Sequence, residues 1–396
     1  MPRSISPTEA AGDAAFLARE RVRRRNSWLV QGAFVLVLVL FLGWLAFNVA
    51  GNLKARQIRA GFDFLFAPAG FNIGESVMPF EAVDSYLAAF AAGVLNTLRV
   101  ALAAVLLATV WGVTIGLARL SHHPMVRGFA GLWVQLSRNI PLLIQLLALY
   151  LVFTEMFPDS TEPWRLGSWA LFSKQGLQIA APVHTGLAVL GGLGLGVAAG
   201  WIAVGLPARR GRQPRSLMAG CIVAVGCLAL GLALAWVGSG VVGGWSHPEV
   251  DGLSITGGAA LSPEFIALWI GLSFFTSGAI AEIVRAGAQA VPVGQWNAGL
   301  ALGMTRAQLI GTVVFPQALR LAIPPLSSQY MNLIKNSSLA VLIGYPDLVS
   351  IANTAINQNG QALECIVIIM AVYLAINLLV SLVMNALNAR VTRAPR

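Results

Sequence analysis

Eight polar side chains crowd into twelve residues of an otherwise apolar stretch: Ser327, Ser328, Gln329, Asn332, Lys335, Asn336, Ser337 and Ser338. A charge or an amide placed in a bilayer is costly, so each needs a partner or a water-filled path. Gln329, Asn332 and Asn336 recur at helical spacing and share one face. A second polar group, Arg138, Asn139 and Gln145, lies in another apolar run and could face the first. Together they offer donors and acceptors that could replace water around the carboxylate and ammonium of a small zwitterion. The competing reading is interhelical hydrogen bonding that holds a bundle together. For any single residue the two readings stand level. For the set as a whole, a permeation pathway is the better reading.

Other candidate chemistry is sparse. His122-His123 lacks a nearby Cys or carboxylate and reads as solvated loop rather than a metal pair. Cys221, Cys227 and Cys365 all lie in apolar runs, where cysteine behaves as a small core residue with no disulfide or metal framework. There is no GxxxxGK[ST] phosphate loop, so the chain has no nucleotide site of that kind. Neither HExxH, GxSxG nor a pair of membrane Asp residues occurs, which argues against an intramembrane enzyme. No metal or cofactor is expected.

The elements that must position these residues are apolar spans. Of 396 residues, 57% are hydrophobic and 11% charged, with a mean hydropathy of +0.74. A soluble domain carries about 25% charged residues, so the expected fold is all-α, a polytopic membrane bundle of about eight spans. The net charge of +10 does not indicate nucleic acid, because the basic residues cluster at span ends. The spans are expected near residues 28–50, 89–117, 132–156, 185–206, 217–241, 263–285, 318–343 and 363–387. The first, about 22 residues, exceeds the ~7–15 of a secretory signal core and suits an uncleaved helix. The seventh is expected to be broken by Pro324-Pro325, with a short re-entrant or interfacial helix in residues 344–361. Segments 1–27, 119–132, 207–216, 285–320 and 390–396 hold 18 Lys or Arg, and the alternate loops hold 5. The positive-inside rule then puts both termini in the cytosol.

Between the sixth and seventh spans, residues 282–316 read as a helix–Gly–helix elbow. Pro292 suits a helix start, residues 293–302 a short helix, and Gly303 its cap. Thr305 with Gln308 forms a capping-box pattern, with Met304 and Leu309 placed for a hydrophobic staple. Pro316 should end or bend the second helix. The elbow face carries Trp296, Leu300, Leu309 and Val313, which would also suit an amphipathic loop on the bilayer surface.

The elbow is more specific than that. Asn297-Ala298-Gly299, three residues, Gly303, nine residues and Val313-Val314-Phe315-Pro316 resemble the EAA loop of ABC-importer permeases, Glu-Ala-Ala, three residues, Gly, nine residues, Ile-x-Leu-Pro. Here Asn297 replaces the usual Glu and Gly299 the usual Ala, so position 297 offers neutral hydrogen bonds only. Ser277-Gly278, residues 281–287, residues 316–320 and residues 322–325 look like the polar amino acid uptake subfamily. Residues 138–145 resemble its "R-G-T-P-L-L-V-Q" segment, with Asn139 and Ile140 in place of Gly and Thr, and Lys335–Leu339 its "K-x-T/S-S-L" segment. Residues 340–364 are similar to the general L-amino acid importers of Gram-negative bacteria, which share a long N-terminal region and extra central spans.

The resemblance covers residues 89–156 and 257–392. It divides the chain into 1–88 (basic tail, first span and periplasmic loop), 89–156 (first permease-core segment), 157–256 (insertion with two extra spans) and 257–396 (second permease-core segment, with the coupling loop at 286–316). It implies an inner-membrane subunit that does not itself hydrolyse ATP. A cytosolic ATPase would dock on Trp296, Asn297, Ala298, Gly299, Gly303 and Pro316. A second homologous permease, a periplasmic amino-acid-binding protein, membrane lipid and an L-amino acid substrate complete the expected partners. The alternative is an autonomous ion-coupled transporter using Lys335 or Glu364 to carry protons, against which stands the lack of an inverted repeat.

Overall fold

The computed structural model describes residues 7–55, 61–183, a few positions between 191 and 199, and 217–392. The chain divides into two units, residues 1–62 with 359–364, and residues 63–358 with 365–396. In the first unit, α1 (Pro7–Ala55) runs through the basic tail and the first expected span as one 49-residue helix. At about 1.5 Å per residue it is far longer than a hydrocarbon core. Its apolar stretch, Asn26–Val49, exposes Trp28, Phe34 and Phe41 and suits contact with lipid.

The second unit is built on two long helices, α2 (Tyr86–Ala118) and the helix Pro263–Gln289, which pack along much of their length. Each starts at a serine cap: Ser85 Oγ accepts from Ala88 N, and Ser262 Oγ from Phe265 N. Small residues let the backbones approach. A Cβ at Gly112 would stand 2.5 Å from Ile280, and one at Gly116 2.8 Å from the Ala281 carbonyl. This is how helices associate where lipid removes the hydrophobic drive. Ala104, Ala108, Leu146, Leu268, Leu272, Ile280 and Leu333 form the core around this pair.

The expected third span is not one helix. α3 (Pro124–Asn139) and α4 (Leu142–Glu155) meet at 103°. Pro141 removes a backbone donor and pushes Ile140 into extended geometry, φ −89° and ψ 127°. The expected break at Pro324-Pro325 does not occur. The helix Phe315–Asn336 continues through both prolines. Both rings lie on its exposed side, while Ala322 and Ile323 keep the other side packed. The chain breaks later, in a 3-10 stretch (Ser337–Ile343) ended by Gly344 at φ +82°. The short helix expected in 344–361 is present as Leu348–Asn359, and the last helix is Ala362–Thr392.

We number the helices after α4 as α5 (Leu217–Gly243), α6 (Pro263–Gln289), α7 (Val293–Ala301), α8 (Arg306–Leu309), α9 (Phe315–Asn336), α10 (Leu348–Asn359) and α11 (Ala362–Thr392). Among the described residues four helices are long and apolar enough to cross a membrane, or six if α3–α4 and α9–α10 each count as a bent span. The span expected at 185–206 falls largely outside the described residues; the one at 217–241 coincides with the helix α5, which contributes only the shorter apolar stretch Leu230–Gly243 and is not among those four.

The fold is mostly helical, as expected, with short strands on either side of the two extra spans of the insertion. β1 (Trp164–Leu166), β2 (Ala170–Ser173), β3 (Gly176–Ile179) and β8 (Ala259–Leu261) form an antiparallel sheet in that order. β3 pairs with β8 in the register Leu177↔Leu261, Gln178↔Ala260 and Ile179↔Ala259, which ties the first part of the insertion to the start of the second core segment. Strands β4 (Ala181–Pro182) with β5 (Trp245–Ser246), and β6 (Glu249–Asp251) with β7 (Ser254–Thr256), add two small ribbons.

Candidate functional site

The elbow folds much as its punctuation dictates. Pro292 is the N-cap residue of α7, and Gly303 follows its end at φ +73°, a left-handed position that suits glycine. Leu302 N–H donates to the Ala298 carbonyl, and Met304 N–H to the Gly299 carbonyl at 3.1 Å. The capping box forms in both directions: Thr305 N donates to Gln308 Oε1 at 2.9 Å, and Gln308 N to Thr305 Oγ1 at 3.3 Å. Val291, Leu309 and Val314 make a small core, with Trp296, Met304, Val313 and Ala318 packed against it. Met304 and Leu309 therefore sit together, as the staple requires.

Three details differ from expectation. Leu300 is exposed while Leu309 is fully buried, so the two do not share one face. Trp296 is partly buried within the elbow's own core. Pro316 does not end the helix: it occupies the first turn of α9, after a π-helical turn over Ile310–Val314. That wider turn has Phe315 N–H donating five residues back, to the Ile310 carbonyl. Asn297, Ala298 and Gly303 are exposed, and Gly299 is buried. Val293 and Leu302 are among the most exposed apolar residues, 71% and 81%. They give the elbow an apolar tip that the sequence alone did not single out.

The elbow is rooted on the spans. A Cβ at Gly287 on α6 would stand 3.0 Å from the Ala318 carbonyl on α9, so the two stems lie close. Below them the Glu282 carboxylate takes Arg119 from the end of α2 on one oxygen and Arg285 on the other, the latter at 2.8 Å. Arg285 also donates to Gln289 Oε1 at 2.7 Å. Burial, then the nearby guanidiniums of Arg285 and Arg138, lower the Arg119 pKa.

The polar set divides by environment. On α9, Ser328, Asn332 and Lys335 are exposed and fall at i, i+4 and i+7, one face of the helix. Gln329 and Asn336 are partly buried at its flanks. No ion pair reaches Lys335 among the described residues. Ser337 is buried with its hydroxyl on the Ile334 carbonyl, and Ser338 donates to the Lys335 carbonyl, both at 2.7 Å. Arg138 and Asn139 are exposed in the last turn of α3. Gln145 is buried, and its Nε2 donates to the carbonyls of Ser137 at 3.1 Å and Ile140 at 2.8 Å. Those carbonyls are freed by the break at Pro141, so Gln145 fastens the bend. α4 packs on the 3-10 stretch after α9. Among the described residues, no hydrogen bond or ion pair joins the two predicted groups.

A polar lock at the other end of α2 went unrecognised in the sequence. Buried Asn96 accepts from Val77 N and donates to the carbonyls of Glu75 and Pro346, both at 2.8 Å. Leu348 N donates to Thr97 Oγ1. Arg99 pairs with Glu75 at 2.5 Å and lies 4.3 Å from the centre of the Phe265 ring. The partners stand up to about 250 residues apart in sequence, which no local pattern reveals.

With this geometry in place, the comparisons with known proteins are decisive. The model of the family described as "Binding-protein-dependent transport system inner membrane component" matches residues 192–393. The chain belongs to this family. It is similar to the general L-amino acid transport system permease protein AapQ of Rhizobium johnstonii, 38% identical, over 91% of each chain. It is also similar to the glutamate/glutamine/aspartate/asparagine transport system permease protein BztB of Rhodobacter capsulatus, 32% identical, over 89% of this chain and 91% of that protein. Among solved structures, a chain of "an amino acid ABC transporter with histidines" is 21% identical with a TM-score of 0.46, over 77% of this chain and 95% of that one. As a member of the family, the protein is a multi-pass inner-membrane component of binding-protein-dependent transport.

Proposed function

We propose that the protein is one permease subunit of an ATP-driven importer of L-amino acids. The observation that carries this reading is the elbow: a self-packed helix–Gly–helix unit with an exposed apolar tip, rooted on α6 and α9. A tip of that kind suits insertion into a groove on a cytosolic ATPase. Asn297, Ala298 and Gly303 border the dock, while Trp296, Gly299 and Pro316 hold its shape from within. Both termini and the elbow then lie in the cytosol, in line with the distribution of Lys and Arg.

The exposed face of α9 supplies half of the translocation path. A lone ammonium at membrane depth needs water or a partner. A cleft shared with a second, related permease provides both around Ser328, Asn332 and Lys335. Arg138 and Asn139 contribute from the end of α3. Gln145 and Ser337 serve as structural members of the same region. A periplasmic binding protein delivers the amino acid, and the path opens to one side at a time as the ATPase pair closes and reopens.

The test is to purify the tagged chain from native membranes in mild detergent and identify what accompanies it. Recovery of an ATPase and a second permease, with loss of the ATPase on Leu302→Asp, supports the reading. A chain that emerges alone and moves amino acids in liposomes without ATP overturns it in favour of the ion-coupled transporter.

A further inference from the structure

A cavity of about 400 Å³ opens where α2 ends, α3 begins and α6 approaches the elbow. It is lined by Arg119, Arg127, Arg285, Ser121, His122 and Gln289, together with Leu120. Three arginines line it, and no Asp or Glu is among its lining residues. The Glu282 carboxylate beside it is already engaged by Arg119 and Arg285, so its single charge leaves the cluster strongly positive. Arg138 adds a further cation close enough to act on Arg119.

The start of α3 sharpens this imbalance. His123 caps the helix without a side-chain hydrogen bond, and Pro124 follows, so the first amides of a 16-residue helix lack a capping side chain. Arg127 stands in that first turn, where the helix dipole is positive. A cation at that end is unfavourable unless an anion sits between them. Guanidinium forks match the oxygens of a phosphate. Beside the cavity, α3 exposes Met125, Val126 and Phe129, side chains suited to acyl chains rather than water.

We infer that this cavity binds a phosphate group, carried by an anionic phospholipid of the inner leaflet, with Arg119, Arg127 and Arg285 as its ligands. The leaflet rests on the orientation proposed above; the chemistry does not. Because Arg119 and Arg285 also hold Glu282, an occupied site competes for the ion pairs at the root of the elbow.

The test uses the complex purified with its partners, stripped of lipid and titrated with phosphatidylglycerol, phosphatidylcholine or inorganic phosphate, and read by native mass spectrometry. Phosphatidylglycerol should be retained over phosphatidylcholine. Arg127→Gln should lower that retention about tenfold, and Arg127→Lys should recover part of it. Arg165→Gln, a basic residue on β1 outside the cavity, should change nothing. Displacement of the lipid by inorganic phosphate at low millimolar concentration would make soluble phosphate the ligand and keep the site. Equal retention of both lipids, or full phosphatidylglycerol retention in Arg127→Gln and in Arg127→Gln/Arg285→Gln, would overturn the inference. Arg127-dependent retention by a chain that purifies without an ATPase would leave this site standing and remove the importer reading instead.

Discussion

Gly299 on α7 lies flat against Leu309 on α8: a Cβ at position 299 would stand 2.2 Å from Leu309 Cδ1. Leu309 is fully buried, so it has little room to turn away. This contact accounts for glycine where the family's EAA pattern carries alanine. Gly299→Ala should therefore overpack the elbow, at a cost of about 1–3 kcal/mol. Hydrogen exchange of the 293–309 amides should speed up in the variant. Gly299→Ala/Leu309→Val, which shortens the opposing side chain, should restore much of the protection. Unchanged exchange in the single variant would mean that the two residues do not constrain one another.

Gly303 separates the two arms of the elbow at φ +73°. A side chain there costs roughly 1–2 kcal/mol, so Gly303→Ala should keep most uptake. Proline cannot adopt this angle, and it would remove the N–H that Gly303 donates to Leu300. Gly303→Pro should leave membrane insertion intact while uptake falls to background, with ATP hydrolysis no longer linked to it. Both rates are measured on the same reconstituted complex. Normal uptake by the proline variant would remove the elbow from the coupling path.

How much could be read from the sequence depended on how local the signal was. Pro292, Gly303, Thr305 and Gln308 lie within seventeen positions and act on their own backbone, so the elbow was legible in detail. Proline was harder to read. Pro141 breaks its helix, whereas α9 continues through Pro324 and Pro325, so the residue type alone did not say which proline would interrupt a span. Which face a helix buries depends on its neighbours. The β3–β8 pairing and the bonds of Asn96 to Pro346 join distant segments, and strands of two to four residues leave too short an alternation to detect. Within the candidate pathway, residue types pointed to polarity and not to role: Gln145 and Ser337 proved buried and engaged with backbone, while Asn332 and Lys335 face outward.

Gln145 offers a direct separation of structure from transport. Its amide satisfies two carbonyls at the α3–α4 bend. Gln145→Leu keeps the volume and removes both donors, leaving buried acceptors unpaired at a cost of about 1–3 kcal/mol. The thermal midpoint of the detergent-solubilised complex should drop, while the KM for the transported amino acid stays within about twofold of wild type. A raised KM with an unchanged midpoint would instead put Gln145 in contact with substrate.

Lys335 gives the opposite expectation. Its ammonium is exposed on the α9 face shared with Ser328 and Asn332 and has no ion pair among the described residues. If it meets the carboxylate of a passing amino acid, Lys335→Gln removes a charge-assisted hydrogen bond of about 1.5–3 kcal/mol. Uptake efficiency in proteoliposomes should then fall roughly 10- to 100-fold, since every 1.4 kcal/mol is a factor of ten. Lys335→Arg should retain part of the activity, and the thermal midpoint should hold in both variants. A residue facing lipid would behave differently: removing its charge would raise the midpoint and leave uptake untouched. Measuring uptake and stability on the same two variants therefore decides whether the polar face of α9 lines the path.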